Sequence, residues 1–116
     1  MKTYDCVVIG GGVVGASIFN KLVRLGKSVA LLDKASDVST GASKANSGIV
    51  HAGYDPVPNT LKAKLNVEGS EIFPKLCKRL NVPIKNCGAL VVGDDMEKIK
   101  NLYERGKQNG VKRLEI

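Results

Sequence analysis

The hexapeptide Gly10-Gly11-Gly12-Val13-Val14-Gly15 separates two apolar segments of different periodicity. Before it, the stretch Tyr4 to Ile9 closes with Cys6-Val7-Val8-Ile9. An unbroken apolar run of that kind predicts a strand covered on both faces. After it, Val14, Ile18, Leu22 and Leu25 recur at helical spacing, and Gly26 follows as a helix stop. Ser28 to Leu32 reads as a second buried strand, closed by Asp33. Strand, helix and strand in about 30 residues is the size of one parallel crossover unit. The expected class is therefore α/β, beginning with a Rossmann-like βαβ unit.

The glycine spacing fits G-x-G-x-x-G in the context that gives the pattern meaning, after a strand and at the start of a helix. Gly10 permits a tight turn, Gly12 lets a pyrophosphate approach the backbone, and Gly15 lets helix and strand pack closely. The free amides at a helix N-terminus, with the helix dipole, favour an anion there. Such a site also calls for an acid at the end of the next strand. Asp33 stands there, 23 residues after Gly10. Its carboxylate suits a ribose diol and repels a 2′-phosphate, which argues against NADP. No Lys-Ser/Thr pair follows Gly15, so an NTP-cradling loop is excluded. NAD and FAD both remain open at this point.

Residues 34–59 are rich in Ser, Gly, Asn and Pro and show no long periodic segment. A stretch of that length without secondary structure is usually functional. Thr60 then predicts an N-cap, and Leu61, Leu65, Ile72, Phe73, Leu76 and Leu80 a long helix. Gly69 weakens that helix, and Pro74 is expected to kink or break it. Ala89 to Val92 reads as a third strand. Asp94 or Asp95 caps a further helix, with Ile99, Leu102 and Tyr103 inward and Gly110 at its end. Val111 to Ile116 begins a fourth strand. The sequence stops inside that expected strand, as a fragment of a larger protein would.

The net charge is +7. Residues 1–58 carry six basic and four acidic side chains, residues 59–116 twelve and seven, so most of the excess is in the second half. The cations there alternate with Glu68, Glu71, Glu97 and Glu104, as on a solvated helix face. With 4% aromatic residues there is little to stack on bases, and no nucleic-acid partner is expected. Cys6, Cys77 and Cys87 form an odd set without a C-x-x-C pair. That argues for reduced thiols in the cytoplasm, with neither a disulfide framework nor a zinc site. The apolar run after Asp5 carries four glycines and no cleavage pattern, so it is not read as a signal peptide. No run approaches the ~20 apolar residues that span a bilayer.

A second motif helps to choose the cofactor. Gly41-Ala42-Ser43-Lys44-Ala45-Asn46-Ser47-Gly48-Ile49-Val50-His51-Ala52-Gly53-Tyr54-Asp55 is dense in small and hydrogen-bonding residues, which suits a flat ligand pressed on backbone. Together with the glycine loop, it resembles the D-amino-acid-oxidase-like FAD-dependent oxidoreductases. The likeness runs through Thr60-Leu61-Lys62-Ala63-Lys64-Leu65-Asn66-Val67-Glu68-Gly69 and Gly88-Ala89-Leu90-Val91-Val92, and so covers essentially the whole chain. Within the family it is most similar to bacterial FAD-dependent glycerol-3-phosphate dehydrogenases and oxidases, then to L-2-hydroxyglutarate oxidases.

That resemblance implies a set of roles. Gly10, Gly12, Val14 and Gly15 would hold the FAD pyrophosphate and Asp33 the adenosine ribose, where many family members carry Glu. Ala42 and Ser43 would line the path from diphosphate to ribityl chain. Asn46, Ser47 and Gly48 would lie against the isoalloxazine, with His51 beside it. The resemblance further implies residues 1–80 as the N-terminal part of an FAD-binding domain and residues 81–116 as the start of an α+β substrate domain. The small-molecule substrate would be glycerol 3-phosphate or a 2-hydroxyacid, and peripheral membrane association of the longer enzyme stays open.

Alcohol oxidation needs a base for the hydroxyl proton, and an imidazole changes charge in the working range of pH. His51 is the only histidine present, so it is the catalytic candidate; the competing reading is a histidine bonded within its loop. Lys44, Lys62 and Lys64 read as solvated lysines, and Cys87 as core packing. A non-catalytic NAD-binding module is the alternative from another class, but it gives the Asn46–His51 stretch no evident purpose.

Overall fold

The computed structural model describes residues 2–116. Two compact units divide between Gly48 and Ile49.

The first unit holds β1 (Cys6–Ile9), α1 (Val13–Arg24) and β2 (Val29–Leu32). The strands are parallel, pairing Cys6 with Val29 and Ile9 with Leu32 at the two ends. The ladder runs on into the glycine loop, because the Gly10 N–H donates to the Leu32 carbonyl at 2.7 Å. At its other end the Asp5 carboxylate accepts the Ser28 N–H at 2.8 Å. This ties the chain just before β1 to the chain just before β2. Among the described residues the sheet has these two strands alone.

The expected α1 stripe is only partly the covered one. Gly15 is buried and Phe19 and Leu22 are half-buried, whereas Val14, Ile18 and Leu25 are exposed. The reason lies at Gly15: a Cβ there would overlap the Gly10 carbonyl and touch Val8. The close approach of helix to strand is made at that glycine, and it sets which residues follow on the inner face. Of the strand residues Val8 is buried, while Val7 and Ile9 stay exposed. The continuous apolar run is thus covered over part of its length within these residues.

The second unit holds α2 (Leu61–Leu80) and α3 (Met96–Gln108). Thr60 caps α2 as expected, its hydroxyl accepting the Ala63 N–H at 3.2 Å. Pro74 does not break the helix, which runs through it for another turn and a half. The proline removes one ladder bond, but the turns on either side keep theirs. Asp95, rather than Asp94, caps α3, accepting from the Glu97 and Lys98 amides. Those bonds and the Lys98 ammonium hold the Asp95 carboxyl below its ordinary range.

All three helices stop in the same way. At the end of α1, Gly26 bonds back to Val23 and Lys27 to Leu22. At the end of α3, Gly110 bonds back to Lys107 and Val111 to Gly106. These are paired Schellman bonds around a left-handed residue. Asn81 plays that part for α2 at φ 54°, passing the Val82 amide to the Cys77 carbonyl.

Two expected strands are absent. Residues 89–92 and 111–116 have no ladder, and Leu90 and Val92 are among the most exposed apolar residues. A strand needs a neighbour, and no free edge in this unit offers one. In the tail, Arg113 at φ 60° also interrupts any extended run. Cys87 is exposed, so it is not core packing, whereas Cys77 is buried and Cys6 half-buried.

Candidate functional site

In the first unit the glycine loop is held from two sides. The Gly11 N–H donates to Asp33 Oδ2 at 2.6 Å and the Ala35 N–H to Asp33 Oδ1 at 2.8 Å. Those backbone bonds, the Ala35 one foremost, lower the pKa of the exposed Asp33 carboxyl, with help from the Lys34 charge. Gly12 is the N-cap of α1 and has no side chain to cap it. The Ser43 hydroxyl does so instead, accepting the Val13 N–H at 2.9 Å. The first bond inside the turn is that of the Ala16 amide to the Gly12 carbonyl. The Val14 and Gly15 amides before it belong to the orphan donors of a helix start.

The structure therefore gathers Gly10, Gly12, Val14, Gly15, Asp33 and Ser43 around one loop. Gly10 sits at φ 100°, a conformation that favours glycine, at the point where β1 turns into α1. A Cβ on Gly12 would stand 3.0 Å from the Ser43 hydroxyl, so the space beside the helix start is open only to backbone. Ala42 lies next to Ser43 on the exposed loop. Asn46 folds back on that loop: its Nδ2 donates to the Ser43 carbonyl at 2.9 Å, and its Oδ1 accepts the Gly48 N–H at 2.9 Å. Ser47 is exposed between them.

Gly11 is a position that the motif leaves unassigned. It is buried, and a Cβ there would stand 2.9 Å from Val38 Cγ1 and 3.2 Å from Asp33 Oδ2. Its carbonyl also accepts the Ser39 N–H at 3.0 Å. The run of three glycines was the available signal, since the pattern itself requires only the outer two.

His51 belongs to the second unit. It is exposed and lines a cavity of about 410 Å³ with Tyr54, Asp55, Lys62 and Asn66 among its neighbours. The loop that follows it is fixed by α3. Asn109 Nδ2 donates to the Gly53 carbonyl at 2.9 Å and to the Pro56 carbonyl at 2.8 Å. Arg105 Nη1 donates to the Asp55 carbonyl at 2.9 Å. Gly53 and Pro56 are buried. Gly53 has φ 104°, and a Cβ there would stand 2.6 Å from Val67 of α2. Sequence reading missed this clamp, because nothing local connects Asn109 to residues more than 50 positions earlier.

The profile of the FAD dependent oxidoreductase family matches residues 5–116. The chain belongs to this family. Among its relatives, the glycerol 3-phosphate dehydrogenase of Caloramator mitchellensis is 47% identical over 116 residues, covering 97% of this chain and 24% of that protein. The mitochondrial L-2-hydroxyglutarate dehydrogenase of Nematostella vectensis is 40% identical over 116 residues, covering 96% and 25%. The human mitochondrial L-2-hydroxyglutarate dehydrogenase is 35% identical over 120 residues, covering 99% and 26%. The chain thus spans about a quarter of the length of these curated relatives.

The cofactor of the family is FAD. The glycine loop fits that group on its own chemistry. It presents unpartnered amides at a helix start and a glycine wall that a side chain would close. Asp33 has one oxygen on each of two amides and spare lone pairs on both. No helix of the described residues is long and apolar enough to cross a membrane.

Proposed function

We propose that this chain is the N-terminal FAD-binding portion of an enzyme oxidising glycerol 3-phosphate to dihydroxyacetone phosphate. The observation that carries the choice of substrate is the 47% identity to a glycerol 3-phosphate dehydrogenase. A second reading, a 2-hydroxyacid oxidase of the same family, is favoured by the several L-2-hydroxyglutarate dehydrogenases at 35–41% identity. Non-catalytic NAD binding has no comparable support.

In this reading Gly10, Gly12, Val14 and Gly15 bind the pyrophosphate and Asp33 the adenosine ribose. Ala42 and Ser43 would line the path from diphosphate to ribityl chain, and Asn46, Ser47 and Gly48 would hold the isoalloxazine. Bound FAD supplies the two-electron acceptor. His51 takes the hydroxyl proton of the substrate at its imidazole nitrogen. Residues 1–80 belong to the cofactor domain and residues 81–116 open the substrate domain. The three free cysteines support a cytoplasmic setting.

The test is anaerobic reduction of the full-length flavoenzyme, followed by the loss of oxidised-flavin absorbance. Faster bleaching by glycerol 3-phosphate than by L-2-hydroxyglutarate is expected. The reverse order selects the second reading, and no bleaching by either substrate sinks both. His51→Asn is expected to slow bleaching by roughly 10²–10⁴-fold, the usual worth of a positioned base, while the flavin content stays unchanged. Bleaching at the wild-type rate would remove His51 from that role.

A further inference from the structure

The cavity that His51 lines is built within the second unit, and its far wall is the start of α2. Lys62 and Asn66 both line it, four residues apart and so on one face of the helix. Its volume, about 410 Å³, is that of a small-ligand site. Val91 and Pro56 give the wall an apolar part. The charged groups on it are few: the Lys62 ammonium and the Asp55 carboxylate, with the His51 imidazole beside them.

Lys62 is the lysine on the cavity wall, and like Lys75, Lys78, Lys85 and Lys100 it has no ion-pair partner among the described residues, whereas the other four lysines of this unit do. Lys64 pairs with Glu68, Lys98 with Asp95, Lys107 with Glu104 and Lys112 with Glu71. Among the described residues no carboxylate lies within ion-pair distance of Lys62. Its charge therefore remains available to a ligand in the cavity. Without that charge, Asp55 would leave the wall negative and hostile to an anion.

We propose that Lys62 is the anion anchor of this cavity. Its ammonium, with the Asn66 amide beside it, binds the anionic end of a small hydroxy substrate whose alcohol carbon lies at His51. The proposal rests on the reading of His51 as the proton acceptor. It deepens that reading by naming what the substrate must carry: an anionic group a short chain away from the alcohol. A lysine is a compact point charge rather than a planar fork, so it serves a phosphate or a carboxylate. It binds the unreactive end of the molecule in ground and transition states alike. Its loss therefore belongs in KM rather than in kcat.

The experiment uses the full-length flavoenzyme with Lys62→Gln and Lys62→Arg. Inorganic phosphate and glutarate, neither of which can be oxidised, are titrated against the absorbance of the bound flavin. One of them is expected to bind saturably, and which one distinguishes a phosphate from a carboxylate subsite. Lys62→Gln should weaken that binding by about tenfold or more, the scale of one charge-assisted contact, and Lys62→Arg should restore most of it. In turnover, Lys62→Gln should raise KM for the anionic substrate by a similar factor with kcat nearly unchanged. Oxidation of uncharged glycerol should not respond.

Equal anion binding by wild type and Lys62→Gln, no binding of either anion by the wild type, or a parallel loss with glycerol each overturns the proposal. His51→Asn separates the two readings: if it retains turnover the base assignment fails, whereas the anion titration of Lys62→Gln still stands or falls on its own.

Discussion

At Asp33 one carboxylate oxygen holds the glycine loop through Gly11 and the other holds the following turn through Ala35. The acid was legible in the sequence from its place at the end of β2. Its bond to Gly11 was not, because a motif describes a ligand's needs rather than the loop's own. Both amides favour the charged form, so the folded-state pKa lies below the unfolded one. The tie is therefore present above the ordinary carboxylate range and is lost as pH falls through the depressed value. Thermal unfolding of wild type and Asp33→Asn should differ at neutral pH and converge at a pH beneath the ordinary carboxylate range. A constant difference down to that pH would mean that Asp33 is not tied to the loop as a carboxylate. Gly11→Val should be worse than Gly11→Ala, since Val38 already stands where the first added carbon would go. The expected readout is loss of FAD from the full-length enzyme, and flavin retained by Gly11→Val would refute the packing argument.

Elements whose signals are local were readable and the others were not. The two strands, the caps at Thr60 and Asp95, and the stops at Gly26 and Gly110 follow from neighbouring residues. Asn81 escaped notice because asparagine enters the left-handed region less often than glycine. Residues 89–92 and 111–116 do not form strands because their valine, leucine and isoleucine side chains describe a strand's surface and not its partner. Within α2, Gly69 has nothing within 4 Å of an added Cβ. Gly69→Ala should raise the stability of the chain by about 0.5–1 kcal/mol, since the mid-helix glycine costs backbone entropy and nothing opposes the methyl group. Chemical denaturation checks it, and a destabilised variant would mean that the space is not free. Asn109→Ala should cost about 1–3 kcal/mol, because two carbonyls of buried residues, at Gly53 and Pro56, lose their donor. Faster hydrogen exchange across residues 51–56 should accompany that loss. Unchanged exchange there would show that Asn109 does not hold the loop.

At the scale of the molecule, few side chains are buried among the described residues: Val8, Ala63 and Cys77, with Pro56, are the buried apolar ones, and Ile9, Leu90 and Val92 stand more than four-fifths exposed. The glycine loop is complete in its backbone, but the apolar surface around it is largely uncovered. The 116-residue chain by itself is therefore expected to bind FAD far more weakly than the full-length enzyme and to turn over no substrate. Flavin fluorescence titration measures this directly, and full-strength binding by the isolated chain would mean that the βαβ unit needs no further cover.

The long-range bonds also impose an order in time. Gly11 meets Asp33 and Val13 meets Ser43, so the glycine loop can close once Ser43 has left the ribosome. The loop after His51 is tied by Arg105 to Asp55 and by Asn109 to Gly53 and Pro56, across 50 to 56 residues of sequence. At 5–20 residues per second, that is a wait of roughly 3–10 s. On a translating ribosome the nascent chain would fix its glycine loop first, and the loop from Gly53 to Pro56 would stay untied until the end of α3 had emerged.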